Sequence, residues 1–437
     1  MMSMMSRRTV LHGAGATALA ATTRPAHAAP GAKKLPFLWG AASAGHQVEG
    51  GNVNADSWLL EHVQGTLYAQ PSGDAMDHYH RFDADIALLA SLGLNTFRFS
   101  LEWSRIEPEP GEISRAALDH YRRVLDSCHA HGVVPMVTFN HFTNPRWFAA
   151  RGGWEVAGAA DPFLRYCETA SRALGDRIGI ATTFNEPQLA RMINWGRDVG
   201  AMEARRAAMQ AKAAQAMGAE HFSYYLSTAA DTAQQAMIAA HARAYGVIKS
   251  GPGSYPVGLS LAMSDDQAVG DPRKRDEKRA WCYDPWLHAA GASDFVGVQA
   301  YTRALIGAEG PLPAPAGAER TSIGWEFYPQ AIGGAVRYAA QVARVPVIVT
   351  ENGVSTDDDT RRIAYIDGAL AALAAARRDG VDVRGYVHWA FLDTFEWSLG
   401  YRPRFSLVEV DRQTFRRSPK PSARHLGRIA AARPAGA

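Results

Sequence analysis

The chain has 437 residues, 47% of them hydrophobic and 20% charged, which is ample for one large α/β core or two smaller ones. Lys and Arg number 46 against 43 Asp and Glu, a formal charge of +3, and no long run of one sign occurs. Nothing in that balance calls for nucleic acid or an anionic membrane surface as the partner, and neither is expected.

The N-terminus differs in kind from the rest. MSRRTVL (Met5 to Leu11) pairs Arg7 with Arg8 ahead of a mild Ala- and Gly-rich apolar stretch, and AHAA (Ala26 to Ala29) offers small residues for cleavage. This predicts a twin-arginine export signal over residues 1–28, cut near Ala28, with the export machinery as its partner and a periplasmic or secreted product. The stretch is too short for a permanent membrane span. The other reading is an ordinary disordered basic start. GAGAT (Gly13 to Thr17) resembles a phosphate-cradling loop, but it lies inside the signal and follows no strand.

In the mature part, residues 29–437, short apolar runs recur: FLWGAASA from Phe37, LNTFRFSLEW from Leu94, VVPMVTFNHF from Val133 and GIATTFNEP from Gly179. PVGLSLAM from Pro256, DFVGVQAYT from Asp294, VPVIVTENG from Val345 and VRGYVHWAFLD from Val383 complete the set. They are near-continuous rather than alternating, as parallel strands buried on both faces should be. Helical patterns lie between them, and Gly93, Gly132 and Gly380 stand where three of these helices should stop. The last helix is expected over Ser422 to Ala432. STDDDT (Ser355 to Thr360) reads as a solvated loop leading into a helix. Eight strand–helix alternations predict a single-domain α/β fold, a (β/α)8 TIM barrel, with an open doubly wound sheet as the alternative. The Ala- and Met-rich stretch from Leu189 to Ser227 breaks the rhythm between the fourth strand and its helix, a position over the barrel mouth.

Cys128, Cys167 and Cys282 are widely spaced and odd in number, so they read as buried small hydrophobes. No metal-ligand spacing and no cofactor motif occurs, and the expected chemistry needs neither.

Two apolar strands end in a glutamate: Glu186 closes ATTFNEP and Glu351 closes VIVTEN. An ionisable group at the end of a buried strand loses hydration unless something compensates. In a (β/α)8 barrel both face the same mouth, where a carboxyl pair suits glycoside cleavage, one as proton donor and the other meeting the oxocarbenium-like transition state. Polar residues gather at other strand ends: Gln47, Arg98, His141 and Asn185, with Trp389, Glu396 and Trp397 after the eighth. Aromatic faces with a few placed polar groups suit a sugar. Singly, His141 or Gln47 reads as a satisfied core group and Trp389 as packing.

With these residues in hand the chain resembles glycoside hydrolase family 1, the β-glucosidase family of retaining (β/α)8 enzymes. The motifs that carry the likeness run in order from about Phe37 to Leu426 and include FLWGAASAGHQVEGG, TFNEP, DFVGVQAYTR, GWEFYP, VTENG and HWAFLDTFEWSLGYRPRFSLVEVD. The resemblance implies that Glu186 is the general acid/base and Glu351 the nucleophile. It implies that Asn185 bonds the sugar 2-hydroxyl, and that Gln47, His141, Glu396 and Trp397 hold the other hydroxyls over a Trp389 floor. Arg98 and Tyr301 would contact Glu351. The implied substrate is a small-molecule β-glycoside. The alternatives are a transglycosidase using the same site and a non-catalytic sugar-binding barrel. Four features depart from the family pattern: Phe142 stands where Trp is common, Gln299-Ala300 precede Tyr301 where an Asn-Tyr pair is usual, Ser406 replaces Gly, and the Leu189–Ser227 stretch replaces an Ala-Pro-Gly loop. They bear on aglycone recognition and on the choice of sugar.

Overall fold

The eight predicted apolar runs all form strands in the structure, a computed structural model that describes residues 35–432. They are β1 Leu38–Ala42, β2 Thr96–Ser100, β3 Val134–Asn140, β4 Ile180–Asn185, β5 Val257–Ala268, β6 Phe295–Gly307, β7 Val347–Glu351 and β8 Val383–Trp389. Each pairs in parallel with its sequence neighbours, β1 also pairs with β8, and β5 pairs with β6, so the sheet closes into an eight-stranded barrel. Closure leaves no barrel strand with an unpaired edge. The predicted export signal lies outside the described residues.

Helices cover the outside, one after each strand, among them His78–Ser91, Arg115–Ala130, Asp231–Lys249, Asp359–Arg378 and Pro421–Ala432. Their ends follow local chemistry. The Ser114 side chain accepts from the Ala117 N–H at the start of Arg115–Ala130, and Gly132 leaves that helix with a φ of 69°. Asp358, inside STDDDT, accepts from the Thr360 N–H at 2.9 Å and so caps Asp359–Arg378. Packing fixes some residues as Gly: a Cβ on Gly40 of β1 would collide with the Thr96 carbonyl of β2.

Two apolar layers result. The larger lies between strands and helices, and includes all three cysteines, which are buried and unbridged. The smaller is formed by Leu38, Met136, Ile180, Phe295, Ile348, Val387 and Trp389, drawn from six strands, and fills the bore beneath the mouth. Among the described residues no helix is long and apolar enough to cross a membrane.

The structure adds three features to the sequence reading. β5 and β6 run on as a paired ribbon from Asp265 opposite Arg303 to Ala268 opposite Ile306. A short strand, Gly310–Leu312, pairs with the end of β6, and Val408–Val410 pairs with Arg417–Pro419 as a separate hairpin. The Leu189–Ser227 stretch is helical as expected, with Leu189–Asn194, Val199–Met217 and a 3-10 turn at Tyr225–Ser227. Met209, Ala213 and Ala214 pack with Phe222 and Tyr224 against Leu60 and Ala149.

Candidate active site

β4 and β7 deliver the two glutamates to the same end of the barrel. Glu186 follows β4 with a φ of 47°, in the left-handed region that a side chain disfavours, and its N–H is held by the Ser260 carbonyl of β5 at 2.8 Å. Glu351 is the last residue of β7 and stands opposite Gln299 in the ladder. Both carboxylates are buried, and the Glu351 charge raises the pKa of Glu186.

The two differ in what surrounds them. Arg98 of β2, fully buried, donates from Nη1 to Glu351 Oε1 at 2.5 Å, and Tyr301 of β6 donates its O–H to Glu351 Oε2 at 2.5 Å. Burial pushes the Glu351 carboxyl up, and Arg98 and Tyr301 work against that push. Glu186 receives no donor among the described side chains. Burial first, then the Glu351 charge, hold its carboxyl well above the usual range. Of the pair, Glu351 therefore ionises first and Glu186 keeps the proton.

Arg98 also donates from Nη2 to Asn185 Oδ1 at 2.6 Å, and Gln299 Nε2 donates to the same oxygen at 2.8 Å. With its carbonyl doubly bonded, Asn185 is fixed with Nδ2 as its free donor, and that atom is buried without a protein partner. His141 stacks on Trp389 with ring centroids 5.9 Å apart and planes at 20°, and its Nδ1 is likewise unpartnered. Burial, then Arg98, lower the His141 pKa well below its usual value, so the ring is neutral. Gln47 donates from Nε2 to the Phe395 carbonyl at 2.9 Å, its main-chain carbonyl accepts the Phe395 N–H, and its side-chain Oε1 is buried and unpartnered. Glu396 Oε1 accepts from Trp389 Nε1 at 3.1 Å and Thr394 Oγ1 at 2.5 Å. Unpartnered buried polar atoms on three of these residues are what a hydroxylated ligand would satisfy.

Trp397 is supported on two sides. His46 stacks on it at 5.5 Å and 8°, and Phe142 meets it edge-on at 5.3 Å and 74°. Phe142 and Trp397 also sit at positive φ, 71° and 51°. Every residue named from the sequence thus lies in one connected set at the mouth. Sequence reasoning noted Gln299 only as a departure from the family pattern and missed its grip on Asn185. It passed over His46, whose neighbour Gln47 drew the attention, and Tyr225, which lies in the anomalous stretch. Among the described residues no group of three or more His, Cys, Asp or Glu could hold a metal ion.

A proton-holding carboxyl and an ionised one, set in a bore with an aromatic floor and free amide and imidazole atoms, can protonate a leaving oxygen and meet positive charge at a sugar carbon. Comparison with known proteins agrees in kind. The sequence profile of "Glycosyl hydrolase family 1" matches residues 32–287 and 314–434. A "Beta-glucosidase" of Agrobacterium sp. is 32% identical over 447 residues, covering 92% of this chain and 95% of that protein. The solved apo structure of "beta-glucosidase 1317" superposes with a TM-score of 0.87 at 50% identity, covering 91% of this chain and 98% of that one. A rice protein described as "Probable inactive beta-glucosidase 14" is 31% identical over 88% of each chain. Likeness alone therefore does not decide activity, and the side chains in the bore must.

Proposed function

Since the chain belongs to glycosyl hydrolase family 1 and is a β-glucosidase-like glycoside hydrolase, we propose that it cleaves terminal β-glucosyl or closely related β-glycosyl residues with retention, Glu351 acting as nucleophile and Glu186 as acid/base. The observation that carries the role assignment is the asymmetry of the two carboxylates: Arg98 and Tyr301 bond Glu351, and neither bonds Glu186. A nucleophile must be ionised before the first step, and a general acid must be protonated.

In the first step a Glu351 oxygen attacks the anomeric carbon, the bond to the leaving oxygen breaks, and the Glu186 proton passes to that oxygen. Glu351 is then an ester without charge. The repulsion that added to burial in raising the Glu186 pKa is gone, so that pKa falls and Glu186 can act as base. In the second step it takes a proton from water, the water oxygen bonds the anomeric carbon from the opposite face, and Glu351 leaves as carboxylate. Asn185 Nδ2 donates to the sugar 2-hydroxyl, where a bond strengthens as charge develops. Gln47, His141, Glu396 and Trp397 hold the remaining hydroxyls, and Trp389 lies beneath the ring.

Substitution tests the assignment. Glu351→Ala should abolish turnover of every substrate. Glu186→Ala should keep its first step on dinitrophenyl β-glucoside, whose leaving group needs no proton, and lose cellobiose by about 10²-fold or more. Azide should restore turnover of the Glu186 variant with β-glycosyl azide as product. An α-azide from that variant, with β-azide from the Glu351 variant, would reverse the two roles.

A further inference from the structure

We propose that Tyr225 is a positioning residue for Glu186, holding the peptide that aims the acid. Glu186 adopts a φ of 47°, a left-handed conformation that is strained for a non-glycine residue and persists only where the surroundings fix it. The peptide group joining Asn185 to Glu186 is held from both sides. Its N–H donates to the Ser260 carbonyl at 2.8 Å, and its carbonyl accepts the Tyr225 O–H at 3.2 Å. The first contact belongs to the barrel ladder. The second comes from the 3-10 turn that ends the Leu189–Ser227 stretch, between β4 and the helix that follows it.

The turn is itself firmly placed. Ser227 Oγ and Thr228 Oγ1 both donate to the Tyr224 carbonyl at 2.9 Å, and the Tyr224 hydroxyl meets that of Tyr68 at 2.5 Å. Gln234 Nε2 spans the Pro187 carbonyl at 2.9 Å and the Thr228 carbonyl at 3.3 Å, so the turn and the Glu186–Pro187 bend share a support. The Tyr225 ring is 4% exposed and packs on Phe142 at 5.7 Å. A tyrosine serving only to fill that space would need no particular acceptor. Here the acceptor is the carbonyl immediately before the acid. Burial, then the Glu186 charge, hold the Tyr225 phenol well above its usual pKa, so it remains a donor throughout the working range.

The proposal rests on the reading of Glu186 as acid/base, and the experiment separates the two. Tyr225→Phe and Glu186→Ala are compared with the parent by kcat/KM, which reports the first chemical step, on a series from dinitrophenyl and nitrophenyl β-glucosides to an alkyl β-glucoside and cellobiose. Tyr225→Phe removes one hydroxyl and keeps the ring, so the bore stays closed. The expected loss is about tenfold on the alkyl glucoside and cellobiose, the scale of one hydrogen bond, vanishing on the dinitrophenyl glucoside. An equal loss on all substrates, as from a general loosening of the fold, or no loss on any, overturns the proposal. If Glu186→Ala is itself insensitive to the leaving group, the acid assignment fails and Tyr225 with it. If Glu186→Ala shows the steep dependence and Tyr225→Phe does not, only the role of Tyr225 fails.

Discussion

At the scale of the residue, the Glu396 side chain is buried, and that burial, more than the nearby Glu351 charge, pushes its carboxyl up to about 7 against the hydrogen bonds from Thr394 and Trp389. Ionising it in the folded state is therefore costlier than in the unfolded chain, where its pKa is about 4.5. Below that lower value Glu396 is neutral in both states and costs nothing. The penalty grows between the two values and is full above the upper one, at on the order of 3 kcal/mol. Glu396→Gln keeps an oxygen to accept from Trp389 and Thr394 but cannot ionise. Thermal unfolding should find the variant close to the parent at about pH 4.5 and several degrees more stable at about pH 8. A constant offset across that range would mean that the carboxylate is solvated or paired in the folded state.

At the scale of the element, the eight barrel strands were legible because burial on both faces leaves near-continuous apolar runs, and the two glutamates because each interrupts such a run at its end. The extension of β5 was not, since the apolar run stops at Met263 and Ser264, Asp265, Asp266 and Gln267 that follow are all polar. There, buried Lys278 bonds Asp266 at 2.5 Å and Ser264 at 2.9 Å, and tertiary pairing overrides local polarity. The tie between Arg417 and Asp85, at 2.7 and 2.8 Å, joins the C-terminal hairpin to the first outer helix across a sequence separation of 332 that no local pattern reveals. Tyr225 was hidden for a similar reason: nothing within the Ala- and Met-rich stretch points to the carbonyl it holds. Helix crossings are more exacting than periodicity suggests. A Cβ on Gly427 of Pro421–Ala432 would collide with the Leu92 carbonyl at the end of His78–Ser91. Gly427→Ala should lower stability by about 1–3 kcal/mol, the range for overpacking, measured by denaturant unfolding. That crossing lies at the face of the barrel opposite the mouth, so kcat on nitrophenyl β-glucoside should stay at the parent value. A fall in kcat with stability unchanged would place the contact in communication with the site.

At the scale of the whole molecule, the paired Arg7 and Arg8 and the small residues before position 29 support our proposal that the chain is exported, and the barrel suits a route that carries folded cargo. Its three cysteines are buried and unbridged, so folding requires no oxidising compartment. Arg7→Lys together with Arg8→Lys should leave the precursor in the cytoplasm, detected by fractionation and by the size of the uncleaved chain. Export at the parent level in the double variant would rule out the twin-arginine route.

Of the seven non-glycine residues at positive φ among the described residues, Phe142, Glu186 and Trp397 belong to the mouth of the barrel. At Phe142 and Trp397 the packed rings outweigh any backbone relief, whereas at Glu186 a buried carboxyl and a strained backbone both favour replacement. Selecting a mutant library by melting temperature alone would enrich Gly or Asn at position 186 and so discard the carboxyl we propose as the acid. Thermostabilised descendants that keep their activity should instead carry their gains on the outer helices and at the closed end of the bore.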